Sequence, residues 1–249
     1  MDIGERLIES LKINTVFHIK AGALDIPVSE TVVLSWVVMA LLIILALVFT
    51  RNLKFKPGGT QALLETGIEF LNNFSKEQFG KYSRVFGPYI GTLFLFLFFA
   101  NIIPAFTPIL LLGKELPFEV KPPARDINVG GGLALVTILL VLFSGVIVRK
   151  PGGWLKTLLH PVPAMLPFNI LEYIIKPVTL CLRLFGNILG GFIIMTLVNL
   201  ALENALGSNA FISVAASLYF DFFDGFIQAL VFTFLTTLYI AEAVKLNDE

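Results

Sequence analysis

The chain has 249 residues, of which 56% are hydrophobic and 14% charged, with acidic and basic side chains in balance. Soluble domains carry about 25% charged residues, so this composition excludes an ordinary soluble enzyme and points to a polytopic membrane protein. Zero net charge offers nucleic acid no electrostatic footprint, and a single cysteine, Cys181, excludes an internal disulfide and a cysteine metal cluster.

Residues 1–30 read as a short polar head. They lack the apolar core and small-residue cleavage site of a signal peptide. Residues 31–50 match the ~20 apolar residues of a membrane span. Residues 51–85 are polar, with Leu64, Ile68, Leu71 and Phe74 at helical spacing between charges, which predicts an amphipathic helix at the membrane interface. A second span covers 86–112, interrupted by Pro88, Pro104 and Pro108, and Asn101 is expected to satisfy a carbonyl freed by Pro104. A third covers 127–148. Residues 151–167 hold Gly and Pro punctuation and read as a turn-rich connection. Two apolar segments, about 169–202 and 208–244, close the chain. At 1.5 Å per residue each is longer than the ~30 Å of hydrocarbon, so both must tilt steeply or bend.

The expected fold is therefore all-α: one membrane domain over 1–249, about five membrane-embedded helices, the last two long and tilted, plus the interfacial helix. The short loops after the first and third spans carry Arg51, Lys54, Lys56, Lys76, Lys81, Arg84, Arg149, Lys150 and Lys156. The positive-inside rule then puts the N-terminal segment, 1–30, outside, 51–85 on the cytoplasmic face and the C-terminus in the cytoplasm.

Chemistry concentrates in 165–245. Between Lys176 and Glu203 the one charge is Arg183. An arginine in mid-membrane costs roughly 2.5–3.5 kcal/mol on insertion scales, and guanidinium cannot escape by deprotonating. At about 100° per residue, Glu172, Lys176, Thr179, Arg183, Asn187 and Gly190 share one sector of the fourth span. Ser213, Ser217, Asp221, Asp224, Gln228, Tyr239 and Glu242 do the same on the fifth. Two facing polar stripes with carboxylates, amides and an arginine predict an ion path. Gly186, Gly190 and Gly191 leave the arginine face bare enough for another helix to approach closely. The structural alternatives are an ion pair between Arg183 and Asp221 or Asp224, and an ordinary helix pair between Glu172 and Lys176, four residues apart. His18 and His160 lie in polar segments and carry no expected chemistry, and no nucleotide fingerprint is present.

Pro177-Val-Thr-Leu-Cys-Leu-Arg-Leu-Phe-Gly-Asn187 resembles the signature of subunit a of F-type ATP synthases. Ile227-Gln-Ala-Leu-Val-Phe-Thr-Phe-Leu-Thr-Thr-Leu-Tyr239 resembles that family's last helix, and Asn101-Ile-Ile-Pro104 its second-helix motif. The resemblance runs along nearly the whole chain. It implies a non-catalytic, cofactor-free subunit of a bacterial inner or plasma membrane, standing beside a ring of c subunits and held with the b stator. Two half-channels would deliver protons to and from the ring carboxylates. The family's essential arginine matches Arg183, its asparagine Asn187 and its glutamine Gln228. Asn187 and Gln228 are expected to hold the guanidinium, and Asp221, Asp224 and Glu172 to line the outside-facing path. Many members place an ionisable residue five positions after the asparagine; here it is Phe192, and Asp221 with Asp224 is expected to replace the missing pair. The same role coupled to Na+, a secondary ion-coupled transporter and a membrane scaffold are the competing readings. A transporter would show repeats in corresponding halves, and none is seen in the sequence.

Overall fold

A computed structural model describes residues 15–21, 24–51, 53–110, 122–159, 163–206 and 210–245. Within the segment read as a polar head, the described residues form a hairpin. Strand β1 (Thr15–Ala21) pairs antiparallel with β2 (Leu24–Ser29), with Lys20 opposite Asp25 and His18 opposite Pro27. In β2 the apolar Leu24, Ile26 and Val28 alternate with Asp25, Pro27 and Ser29, the period-2 pattern of a half-buried strand, and Val28 is buried.

Six helices follow. Helix α1 (Glu30–Thr50) is apolar on all sides, and its hydroxyls turn back onto the helix: Ser35 Oγ donates to the Thr31 carbonyl and Thr50 Oγ1 to the Ala46 carbonyl. Helix α2 (Gly59–Phe79) is followed by a single 3-10 turn, Gly80–Tyr82, and by α3 (Ser83–Leu110). Gly80 has φ 54°, a left-handed value that favours glycine, and this residue breaks the helical run. Helix α2 then doubles back on α3. A Cβ on Gly87 would touch Ser75 at 3.5 Å, and one on Gly91 would touch Leu71 at 3.9 Å.

Helix α4 runs from Ile127 to Leu159, past the turn expected at 151. A proline removes one helical hydrogen bond without forbidding continuation, and Trp154, Leu155, Leu158 and Leu159 keep helical spacing beyond it. Helices α5 (Leu166–Leu206) and α6 (Ala210–Lys245) have 41 and 36 residues, about 60 and 54 Å of helix. Pro177 lies inside α5. Among the described residues five stretches are long and apolar enough to cross a membrane: Glu30–Thr50, Gly59–Pro104, Ile127–Val148, Leu166–Val198 and Leu218–Val244. The second takes in α2 as well as most of α3.

By its internal contacts the chain resolves into two compact units. One comprises Met1–Leu41, Leu97–Gly130 and Leu184–Gln228, the other Leu42–Phe96, Gly131–Arg183 and Ala229–Glu249. In the first, buried Asp126 caps α4 by accepting the Asn128 backbone N–H at 2.9 Å on Oδ1. Its other oxygen accepts Thr31 Oγ1 at 2.7 Å and Ser29 Oγ at 3.0 Å. The starts of α1 and α4 are thus tied at one carboxylate. In the second unit, Phe79, Phe86, Ile90, Ile138, Val141, Ile240 and Val244 form an apolar core, flanked by Tyr89, whose hydroxyl lies 3.3 Å from Thr137 Oγ1.

Candidate functional site

Helix α5 buries Leu180 and Leu184, four residues apart, and this fixes which side of the helix faces outward. Arg183 is exposed, beside exposed Leu182, and among the described residues its guanidinium donates no hydrogen bond and forms no ion pair. One turn further, Gly186 and Gly190 are bare: a Cβ on either would meet nothing within 4 Å. A permanent cation therefore stands on an outward face of a membrane-length helix.

In the unit that contains Leu184–Gln228, α5 and α6 meet through polar groups. Asn187 Nδ2 donates to Gln228 Oε1 at 2.8 Å. Gln228 is buried, and among the described residues its Nε2 has no hydrogen-bond acceptor. The two amides thus hold each other. Asp224, one turn before Gln228, is half-buried and turns toward Gly191, where a Cβ would lie 3.7 Å from its Oδ2. The side chains of Asp221 and Phe192, and those of Ser213 and Ser217, lie outside the described residues.

Helix α3 joins this cluster at Asn101. A Cβ on Gly225 would come within 2.9 Å of Asn101 Cβ, so the two helices approach at a distance only glycine permits. Asn101 is buried, and among the described residues both its Oδ1 and Nδ2 lack partners, a carbonyl freed by Pro104 included. Buried amide atoms without partners are uncommon and costly. Here three such atoms, two on Asn101 and one on Gln228, flank Gly225 along α6. Such a site suits water, which needs polar partners.

In the other unit, Lys176 bridges Glu172 at 2.9 Å and Glu242 at 2.8 Å. Its ammonium also lies 5.9 Å from the Tyr173 ring centre and 5.3 Å from that of Tyr239, within cation–π range. The helix pair expected between Glu172 and Lys176 forms, with Glu242 from α6 as a second carboxylate. Along α5, Glu172 precedes Arg183 by eleven residues, while Gly191, which Asp224 approaches, follows it by eight.

Asn101 and Gly225 emerged from long-range packing, as did the Lys176 partner of Glu242, a residue already read as part of the α6 polar stripe. Asn101 had a signal in the sequence, an amide one turn before a proline inside a span, but that signal fits a local role equally well. Among the described residues no group of three or more His, Cys, Asp or Glu side chains is placed to hold a metal.

Comparison with known proteins matches residues 32–241 to the family model described as ATP synthase A chain. A relative from Moorella thermoacetica (strain ATCC 39073 / JCM 9320), named ATP synthase subunit a, is 35% identical over 231 residues, covering 92% of this chain and 95% of the relative.

Proposed function

Because the chain belongs to the ATP synthase A chain family, and so to the membrane part of an ATP synthase complex, we propose that it forms the stationary half of that complex's ion path. The observation that carries this reading is Arg183, an exposed cation followed along an outward helix face by two bare glycines. A cation so placed is stabilised by an opposite charge presented from outside the chain. A ring of c subunits with mid-membrane carboxylates supplies such charges in succession.

Each carboxylate arriving neutral, with its proton bound, meets the guanidinium. A nearby permanent cation favours the ionised form, so the proton leaves toward one side of the membrane. The same charge repels any cation crossing directly between the two sides. Lysine supplies charge without the planar, always-protonated fork. The Asn187–Gln228 amide pair, one turn along α5, fixes the helix surface beside the guanidinium instead of holding the guanidinium itself.

The carboxylates serve two paths. Asp224, with Asp221 one turn before it, belongs to the path on the Gly191 side, and the unpartnered amides of Asn101 and Gln228 bind water there. Position along α5 favours placing Glu172, with Lys176 and Glu242, on the path on the opposite side of Arg183 and not on the outside-facing path with Asp221 and Asp224 as expected from the sequence. The orientation that follows from basic loops makes the first path external and the second cytoplasmic. The chain itself supplies ion passage, not nucleotide chemistry.

The test is ATP-driven ion pumping and ion-driven ATP synthesis by the complete complex in proteoliposomes, with and without sodium. Arg183→Ala is expected to abolish coupled transport in a complex that still assembles, and to raise passive proton leak. Unchanged coupling would reduce Arg183 to a structural charge. Sodium dependence of the wild type would replace the proton with Na+ as the coupled ion.

A further inference from the structure

The segment between α1 and α2 has no part in the ion path, and its chemistry is distinct. Arg51, Lys54 and Lys56 are exposed, and no acidic residue occurs from Thr31 to Leu64. Among the described residues none of the three has an ion-pair partner. Between them Leu53 and Phe55 are also turned out, at 61% and 104% exposure. Cations alternating with outward apolar side chains suit neither open water nor hydrocarbon. They suit the headgroup layer, where apolar groups enter the acyl boundary and cations meet phosphate.

The position agrees. Helix α1 has 21 residues, about the thickness of the hydrocarbon core, and Arg51 follows its last residue. The segment is also held in place. Gln61 of α2 accepts the Lys54 backbone N–H on Oε1 at 3.1 Å and donates through Nε2 to the Lys54 carbonyl at 2.9 Å. The same Nε2 donates to Glu65 Oε1 at 2.7 Å, which occupies the nearest acidic side chain in sequence. The basic side chains therefore project from a clasped backbone at the point where the chain leaves the membrane.

We propose that Arg51, Lys54 and Lys56, with Leu53 and Phe55 between them, form a binding site for the headgroup of an anionic phospholipid. Free phosphate shares the anion chemistry but has no use for the two outward apolar side chains, so the lipid is the source that fits. The site is independent of the ion path, and its test does not read transport.

The complete complex is reconstituted with trace photoactivatable phosphatidylglycerol or phosphatidylcholine, irradiated, and adducts on residues 51–58 are quantified by peptide mass spectrometry. The anionic probe should label this segment several-fold more than the neutral one, with a preference of roughly 5-fold per basic side chain at low salt. The triple variant Arg51→Gln, Lys54→Gln, Lys56→Gln should bring the anionic probe down to the neutral level, while Arg51→Lys keeps the preference. Should the triple variant fail to assemble, raised salt on the wild type should collapse the preference. Equal labelling by both probes, a preference retained in the triple variant, or a preference indifferent to salt overturns the proposal. Displacement of the anionic probe by millimolar inorganic phosphate would assign the site to free phosphate and overturn it as well.

Discussion

Gln228 is buried with one half of its amide satisfied and the other half not, which makes its two possible losses unequal. Asn187→Leu removes the donor to Gln228 Oε1 and strands the whole amide, at a cost of about 1–3 kcal/mol. Gln228→Leu removes the stranded group itself and should cost less. Thermal unfolding of the assembled complex should therefore rank Asn187→Leu below Gln228→Leu, whatever either does to transport. The opposite ranking would mean that Gln228 Nε2 finds a partner in the complex. Gly225 offers a second test. The Cβ of Gly225→Ala would press on Asn101 Cβ at 2.9 Å, and overpacking of this kind costs about 1–3 kcal/mol. Asn101→Gly in the same chain should recover part of that loss, and a double-mutant cycle giving no coupling would show that the helices simply separate.

Among the elements, the α2–α3 turn rests on one residue. Gly80 adopts φ 54° and ψ −120°, a region open in practice to glycine alone. Gly80→Ala should destabilise the turn by about 1–3 kcal/mol, and limited proteolysis should then cut near residue 80 faster than in the wild type. Equal cleavage would show that the turn relaxes without loss. Elements were also where the sequence was least legible. The apolar spans could be read because lipid imposes one dominant rule, length of apolar run, and the five membrane-length stretches follow it. The β1–β2 hairpin escaped because its alternation is short and half of it, Leu24 to Ser29, includes a proline. The continuation of α4 past Pro151 escaped because proline was taken as a stop, although a helix that keeps its apolar spacing can carry one. Arg183 stood out because no neighbouring charge diluted it. Asn101 and Glu242 did not, because their roles depend on residues more than 60 positions away: Gly225 for one, Lys176 for the other.

For the whole molecule, the division of carboxylates along α5 has a consequence for access from the two sides of the membrane. In the proposed arrangement Glu172 precedes Arg183 by eleven residues of the chain, and Gly191, the neighbour of Asp224, follows it by eight. In oriented vesicles containing a Cys181→Ser chain, Asp224→Cys and Glu242→Cys should react with a membrane-impermeant thiol reagent from opposite sides. Reaction of both from one side would remove the two-path arrangement. Silence of both would leave neither carboxylate on an aqueous path, and the ion would have to reach Arg183 by other groups.

The Asp126 carboxylate has one more implication, for how the chain is made. Thr31 and Asp126 stand 95 residues apart, so the first helix leaves the ribosome well before the group that will bind its two terminal hydroxyls exists. At about 5–20 residues per second, that interval lasts roughly 5–20 seconds. During it, α1 can sit in the bilayer but cannot be locked, and the β-hairpin that precedes it has no anchor. Arrival of α4 closes the latch: one oxygen caps the newcomer while the other seizes Ser29 and Thr31. The order of synthesis thus makes the third span the checkpoint for the first, and a chain truncated before residue 126 should leave its leading helix exposed to membrane quality control.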